Sequence, residues 1–272
     1  IEHNREVYNE LAEEFENIEK DLTLRKSHIF EKVNKYMKLL FPSLKDKIKT
    51  YSYLRGKELH IVEGLQLPIS FYGEGIAQIF IILFKIFNDD SDMVFIEEPE
   101  AYLHPMLLKR FVDLLEKIAE EESKQLFLTT HSTIPITVER INNLFRFVYD
   151  DKNGTRVYNL GKNKIEGYRL KQELNPDSAE VFFTDKVVLV EGKEDEFFID
   201  GLYKKLIVSN DDYKIISVGS NTNFGIYMEL LSAFNIPHSV LCDRNCLSER
   251  SITVISKLLE SNPKLNTPKE KI

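Results

Sequence analysis

Acidic and polar side chains stand directly after two apolar segments in the first half of the chain. Glu97 and Glu98 follow the segment Met93–Ile96, and the run Thr129-Thr130-His131-Ser132 follows Leu126–Leu128. Each apolar segment is typical of a buried parallel strand, and open α/β sheets bind ligands outside the carboxyl ends of such strands. Acids at that place can hold Mg²⁺ on a nucleotide and orient an attacking water. A Glu-Glu pair by itself is also typical of a strand that ends in solvated acids.

A second group of carboxylates lies in a predicted βαβαβ segment near the C-terminus. Glu191 and Asp195 follow its first strand, Lys186–Val190, and Asp243 follows its third strand, Ser239–Cys242. A doubly wound sheet brings such strand ends together, so we expect the three carboxylates to converge. There they could hold one or two Mg²⁺ or Mn²⁺ ions, which stabilise the attacking and leaving oxygens in phosphodiester cleavage. The alternative is an ordinary α/β domain with solvated acids in its loops.

Ser70, Gly73 and Gly75 lie just before a predicted helix that begins near Ile76. Backbone N–H groups at a helix N-terminus can face a phosphate, and the helix dipole favours an anion there. The motif Gly-x-Gly before a helix is a weak signal on its own, and a structural turn is the alternative reading.

Several predicted elements must position these residues. Apolar spacing predicts helices within residues 1–41, and alternation predicts hairpins over 47–69 and 144–160, the latter with a turn at Asn153-Gly154. An amphipathic helix over Met106–Glu122 joins the first two strands. In the C-terminal segment, the helix after Asp195 is predicted to turn three apolar residues inward, namely Phe197, Phe198 and Leu202.

The composition narrows the class of protein. The 272 residues suit one large or two ordinary domains, and a hydrophobic content of 43% allows a sizeable core. With 44 acidic and 36 basic residues the net charge is −8, which argues against nucleic-acid binding by bulk charge alone but leaves room for an acidic metal site. The two cysteines, Cys242 and Cys246, favour a reducing cytoplasm over a disulfide framework and lack zinc spacing. No apolar run approaches the roughly 20 residues of a membrane span, so we expect no membrane partner.

One nucleotide-binding motif is missing from the sequence. A Walker A loop needs G-x-x-x-x-G-K-[ST], and Gly192-Lys193 does not fit because Glu194 follows and no glycine lies five residues upstream. The chain is therefore not expected to bind ATP well alone. Either a preceding lobe lies outside the chain or the nucleotide site is degenerate.

The two motif groups together resemble a known family. Strands that end in Glu97-Glu98 and Thr130-His131-Ser132 resemble the Walker B strand and histidine switch of ABC-type ATPases. The segment Val187–Asp195, V-V-L-V-E-G-K-E-D, followed later by L-C-D-R-N, resembles the TOPRIM domain of topoisomerases, primases and nucleases. This order of domains resembles the overcoming lysogenization defect (OLD) family of ATP-dependent nucleases, which are linked to defence against phage and mobile DNA.

The resemblance implies roles for individual residues. Ser70, Gly73 and Gly75 match the ABC signature, Glu97 the Walker B acid, Glu98 the water-orienting acid and His131 the switch. Glu191, Asp195, Asp243 and Asn245 match the TOPRIM metal site. Asn245 departs from the family pattern, which has a second acid there. Since an amide oxygen carries no charge, the resemblance leaves binding of a second metal in question.

The resulting hypothesis has three parts. The fold is α/β, with the C-terminal lobe of an ABC-type ATPase and its helical arm in residues 1–170, a connector over 171–184 and a Rossmann-like TOPRIM domain over 185–272. The function is an Mg²⁺- or Mn²⁺-dependent DNA endonuclease gated by ATP, with a homo-oligomer formed through the ATPase and a possible accessory defence protein. The alternatives are a non-catalytic, ATP-sensing and DNA-binding assembly subunit with a degenerate metal site, and a structural ATPase of the DNA-repair kind.

Overall fold

The computed structural model divides the chain into two compact units, Ile1–Pro135 and Ile136–Ile272. Both contain helices and strands, so the predicted α/β class is confirmed. Within the described part of the chain, no helix combines the length and the apolar composition needed to cross a bilayer. The structure describes residues 27–42, 48–53, 56–61, 67–68, 73–161, 174–175, 177–206, 212–220 and 223–242.

The first unit starts with a helix and a small antiparallel sheet. Helix α1 spans Ser27–Leu40, as its apolar spacing predicts, whereas the helix predicted earlier in the chain lies outside the described residues. The sheet has the order β1-β2-β3 and confirms the predicted hairpin. Its strands are β1 (Ile48–Tyr53), β2 (Gly56–Ile61) and β3 (Leu67–Pro68).

A βαβ segment carries the first pair of polar strand ends. It follows helix α2 (Glu74–Asn88) and consists of β4 (Met93–Glu97), α3 (Pro105–Glu121) and β5 (Gln125–Thr129). Strands β4 and β5 are parallel and paired directly, so that Glu97 is opposite Thr129. Both strands therefore end at the same edge, as the sequence predicts.

The core of this unit is helical. Helical spacing predicts an inward face of α2. Its residues Ile79, Phe80, Leu83 and Phe84 are buried and Ile76 is half-buried, and they pack against α1, α3 and one face of the two strands. The fully buried side chains of α2 and α3 are Ile79, Phe80, Leu83, Phe84, Ile86, Leu108, Phe111, Leu115 and Ile118. Burial of each is worth roughly 1.5–3 kcal/mol, so this helical layer is what holds the sheet edge in place.

The prediction that β4 is buried on both faces is wrong. Ile96 is buried, but Met93 is 52% exposed and Phe95 72% exposed. Phe95 stacks on Phe127 of β5, 4.9 Å between ring centroids, on the same exposed face. Alternate residues of a strand point to opposite faces, and among the described residues helices cover only one of them. The uninterrupted apolar run does not reveal this difference.

The second unit contains a three-stranded parallel sheet of order β10-β8-β9. Its strands are β8 (Lys186–Val190), β9 (Tyr213–Ser217) and β10 (His238–Leu241), and its helices are α4 (Lys193–Leu206) and α5 (Phe224–Ala233). The first strand of the predicted βαβαβ segment is therefore central, with a parallel neighbour on each side. A short 3-10 helix, Ser178–Phe183, precedes it.

A hairpin is part of this second unit. Strands β6 (Arg146–Asp150) and β7 (Gly154–Tyr158) pair antiparallel, with Gly154 in a left-handed turn, φ 70°, as the Asn-Gly pair predicts. Ile141 before the hairpin and Leu160 after it belong to the core of the parallel sheet. The sequence-based boundary assigns residues 141–170 to the ATPase portion, whereas packing groups the described part of that range with the second unit.

Helix α4 faces the sheet with its polar side. Tyr203 contacts Tyr213 of β9, and the Tyr213 hydroxyl donates to Asp200 Oδ1 at 3.2 Å. A hydrogen bond from Lys204 lowers the pKa of the Asp200 carboxyl. Phe197 and Phe198, predicted to point inward, are 85% and 63% exposed. Leu202, the third residue predicted to point inward, is exposed as well. The prediction is wrong because helical spacing alone does not say which of two opposed faces meets the sheet.

Candidate functional site

Glu97 and Glu98 lie at the carboxyl end of β4, and both are exposed. Glu98 extends the pairing with β5, because its N–H donates to the Thr129 carbonyl at 3.0 Å. Its φ of 43° is left-handed, a conformation that costs a non-glycine residue about 1–3 kcal/mol and that clusters at active sites. The backbone turns at this point, and the two carboxylates stay accessible at the edge where parallel strands present their ligand-binding groups.

His131 follows β5 at the same edge and faces Glu98. Its Nε2 lies 3.6 Å from Glu98 Oε1. The His131 side chain is 83% exposed and the Glu98 side chain 60% exposed. Water screens a pair this exposed, so its contribution to stability is small. The structure thus brings together the predicted water-orienting acid and the predicted switch, and leaves both open to a ligand.

A third acid of the same loop, Glu100, was not singled out from the sequence. Its Oε1 accepts a hydrogen bond from the Thr130 hydroxyl at 2.8 Å and one from the His131 N–H at 2.7 Å. The Thr130 hydroxyl oxygen in turn accepts from the Ser132 N–H at 3.0 Å. Glu100 therefore links the loop after β4 to the loop after β5. In the sequence only its position in E-E-P-E distinguishes it from other surface acids.

The predicted signature glycines have structural reasons of their own. Gly73 precedes α2 with a φ of 103°, a region that side chains rarely adopt. A methyl group on Gly75 would lie 2.7 Å from the Tyr102 carbonyl oxygen, so this glycine lets the start of α2 approach the loop after β4. Ser70 lies outside the described residues. Hence Gly75 lies against the loop after β4, and contact of either glycine with a phosphate stays a prediction.

Glu191 lies at the carboxyl end of the central strand of the parallel sheet. Its carbonyl accepts a hydrogen bond from the Gly219 N–H at 2.9 Å and one from the Ser217 hydroxyl at 3.4 Å. These bonds fix the backbone of Glu191 to the end of β9. The half-buried Glu191 side chain therefore projects from a fixed position on the central strand, which has a neighbour on each side.

Asp195 lies in the first turn of α4. Its Oδ2 accepts a hydrogen bond from the Gly192 N–H at 3.0 Å, which satisfies one of the unpaired donors at the helix start. Together with Glu194 and Glu196 it gives this first turn three carboxylates, and the helix dipole stabilises negative charge there. Asp195 therefore has a capping role besides the predicted metal-binding role.

Glu196 is a second residue that sequence reasoning missed. Its Oε2 accepts from the Ser217 N–H at 3.1 Å and from Lys193 Nζ at 2.8 Å. With only 24% of its side chain exposed, it ties the start of α4 to the end of β9. Glu196 thereby holds the helix that carries Asp195 against the strand beside Glu191.

Two of the predicted ligands, Asp243 and Asn245, lie outside the described residues, as does Cys246. The described chain reaches Cys242, one residue past the pairing of Leu241 with Val190 of β8. Cys242 is a free, half-buried thiol that packs against the core. Strand β10 therefore leads towards the edge at which β8 presents Glu191.

The donor chemistry at this edge fits a hard divalent cation. Mg²⁺ and Mn²⁺ prefer carboxylate oxygens, and Glu191 and Asp195 supply two carboxylates at one sheet edge. Among the described residues there is no group of three acids, histidines or cysteines that could hold a metal. The described residues thus supply two carboxylates, and the other two predicted ligands, Asp243 and Asn245, come after Cys242 in the chain.

Comparison with known proteins matches both units to family models. The model described as AAA ATPase domain matches residues 1–136, half of the chain. The model described as the TOPRIM domain of overcoming lysogenization defect protein-like proteins matches residues 182–244. The two matches follow each other in the order that the motifs predict.

Three curated relatives are similar to this chain. Old nuclease of Escherichia phage P2 is 27% identical over 285 residues, covering 94% of this chain and 48% of that protein. OLD nuclease of Thermus scotoductus is 29% identical over 195 residues, covering 66% and 37%. Endonuclease GajA of Bacillus cereus is 22% identical over 246 residues, covering 75% and 34%. The chain spans less than half the length of these relatives.

Proposed function

This chain belongs to the overcoming lysogenization defect family, in which an AAA-type ATPase domain precedes a TOPRIM domain, and we propose that it acts in a metal-dependent DNA endonuclease controlled by ATP. The observation that carries the proposal is Glu191 at the carboxyl end of the central parallel strand, with Asp195 in the next helical turn. The names of the three curated relatives, two nucleases and an endonuclease, support the same activity.

The proposed reaction is hydrolysis of a DNA phosphodiester at the TOPRIM edge. Glu191, Asp195, Asp243 and Asn245 would hold Mg²⁺ or Mn²⁺. When bound, the metal polarises a phosphate oxygen and supplies a nucleophilic water at neutral pH. Glu196 and the capping bond of Asp195 hold the acids in place, and Glu191 or Asp195 is the candidate for a base that takes the proton of the water. Because the net charge is −8, the protein would contact the DNA phosphates through the metal or through a local basic surface.

The proposed control comes from the first unit. Glu97 would hold Mg²⁺ on ATP, Glu98 would orient the attacking water and His131 would contact the γ-phosphate. Ser70, Gly73 and Gly75 would contact a γ-phosphate held by a second copy, so the active species would be a homo-oligomer. The 3.6 Å approach of His131 to Glu98 supports this arrangement. A biological role in defence against phage, with or without an accessory protein, completes the proposal.

Two observations favour a second function. Asn245 stands where the resemblance implies an acid, and no Walker A loop occurs in the sequence. These two features suit a non-catalytic subunit that senses ATP and binds DNA. That alternative predicts DNA binding without metal-dependent cleavage.

A plasmid-nicking assay with Mg²⁺ or Mn²⁺ separates the two functions. We expect the parent to nick, and Glu191→Gln and Asp195→Asn to lose about a hundredfold or more of the rate, since both retain hydrogen-bond acceptors but lose charge. Glu194→Gln is the matched control in the same helical turn and is expected to cleave like the parent. If none of the proteins nicks in either metal, with or without ATP, the assay is repeated with any preceding ATPase lobe restored, and silence there too favours the non-catalytic function.

A further inference from the structure

The loop after β4 places Glu100 beside the end of β5. The strand is followed by two overlapping turns, because the Ala101 N–H donates to the Glu98 carbonyl at 3.1 Å and the Leu103 N–H to the Glu100 carbonyl at 3.0 Å. Pro99 inside the first turn is buried. The chain thus reverses within a few residues instead of running on from β4, and the Glu100 side chain points at the neighbouring loop.

A single carboxylate oxygen then holds the backbone of that loop. Glu100 Oε1 accepts hydrogen bonds from the Thr130 hydroxyl and from the His131 N–H. The Thr130 hydroxyl oxygen in turn accepts one from the Ser132 N–H. Hydrogen bonds to an ionised acceptor are about twice as strong as neutral ones. Three consecutive residues of the loop therefore depend on this one side chain.

The other oxygen of the Glu100 carboxylate has no such contacts within the described part of the chain. Glu100 Oε2 is buried and has no hydrogen-bond partner among the described residues. An unpaired buried polar atom costs about 1–3 kcal/mol. The contacts of Oε1 to the loop Thr130–Ser132 therefore hold the carboxylate in place against this cost.

The described residues leave the His131 ring largely unpacked. Its side chain is 83% exposed, and the Glu98 carboxylate that it faces is 60% exposed. An exposed pair of this kind contributes little to its own orientation. The direction of the imidazole therefore depends on its backbone, and the backbone N–H of His131 is bonded to Glu100.

From these contacts we propose that Glu100 is a positioning residue, which fixes the loop Thr130–Ser132 so that His131 faces Glu98. The inference rests on the roles in ATP hydrolysis proposed above for Glu98 and His131. Glu100 itself need not touch the nucleotide. Its carboxylate joins the turn that carries Glu98 to the loop that carries His131.

The first test is nuclear magnetic resonance of the protein without nucleotide. In Glu100→Ala the His131 amide should exchange with solvent about ten- to a hundredfold faster than in the parent. The proton contact between the His131 ring and the Glu98 side chain should be lost. Glu100→Gln keeps an acceptor oxygen and should preserve both signals in large part. Thr130→Val breaks the same connection from the other side and should weaken it even if the alanine variant folds poorly.

Two controls separate positioning from general loosening. Glu120→Ala removes an exposed acid from α3 of the same unit and should change neither signal. The amide of Gln125 at the start of β5 donates to the Asp92 carbonyl at 2.7 Å and should exchange as in the parent. If the His131 amide and the ring contact are unchanged in Glu100→Ala, the proposal is wrong.

ATP turnover tests the consequence. Glu100→Ala should lower kcat at least about tenfold with KM within about twofold, Glu100→Gln should lie between it and the parent, and Glu100→Ala/Thr130→Val should be no slower than Glu100→Ala. An unchanged kcat in a protein that hydrolyses ATP would also overturn the proposal. Because the sequence has no Walker A loop, turnover is measured with any preceding Walker A lobe restored. If that protein hydrolyses no ATP, the proposed ATPase role fails, and the resonance data alone decide whether Glu100 positions His131.

Discussion

At the scale of single residues, the two glycines at the start of α2 are glycine for different reasons. Gly73 has a φ of 103° and open space around it, so a side chain there is strained by its own backbone. Gly75 has an ordinary φ, but a Cβ would lie 2.7 Å from a backbone oxygen, that of Tyr102. Both restrictions come from the fold. Loss of activity on changing either glycine is therefore no proof that it touches a phosphate.

We expect Gly73→Ala and Gly75→Ala each to lower the free energy of unfolding by about 1–3 kcal/mol, the first through backbone strain and the second through overpacking. Gly201→Ala is the control, because it lies in α4 with nothing near its Cβ position. That change should stabilise the protein by about 0.5–1 kcal/mol. Urea denaturation measures all three. A neutral Gly75→Ala would mean that the loop at Tyr102 can move away without cost.

At the scale of elements, one arginine joins the hairpin to the parallel sheet. Arg146 of β6 donates from Nε to the Phe182 carbonyl at 3.1 Å, and its terminal nitrogens reach the carbonyls of Phe234, Asn235 and Thr184 at 3.3 Å. These carbonyls lie at the ends of the 3-10 helix and of α5, where a cation also complements the helix dipole. Burial lowers the pKa of Arg146, yet a guanidinium stays charged at neutral pH.

Arg146→Ala should therefore destabilise the second unit by about 2–4 kcal/mol, since several carbonyls lose a charged donor at once. Arg146→Lys should recover only part of this loss, because one ammonium cannot reproduce the planar fork of donors. Arg156→Ala, an exposed arginine on β7, should change stability by less than about 0.5 kcal/mol. Thermal unfolding compares the three, and equal midpoints would show that the hairpin is only loosely attached.

At the scale of the whole molecule, each of the two compact units has its own buried core. The core of the second unit includes Ile136, Ile141 and Leu160, which precede the segment matched by the TOPRIM family model, residues 182–244. A domain of this kind can fold alone when its core is complete. The hairpin and its flanking residues thus form part of the unit that presents Glu191.

A fragment of residues 136–272 should fold by itself and unfold cooperatively, whereas a fragment of residues 171–272 should not. The shorter fragment lacks Arg146 and the apolar side chains of Ile141 and Leu160, each worth roughly 1.5–3 kcal/mol when buried. Circular dichroism during heating and the dispersion of amide resonances distinguish the two fragments. Equal cooperativity in both would place the unit boundary after the hairpin instead.

The sequence by itself determined the strands and the side chains that end them. Alternation, helical spacing and the Asn-Gly turn depend on neighbouring residues, so the parallel pairing of β4 with β5 and the place of Glu191 could be predicted. Only the tertiary structure decided which face of α4 meets β9, that Phe95 is exposed, and that Glu100 and Arg146 reach carbonyls and N–H groups distant in sequence. Such contacts depend on how elements pack across the chain, and a local pattern carries no information about that packing.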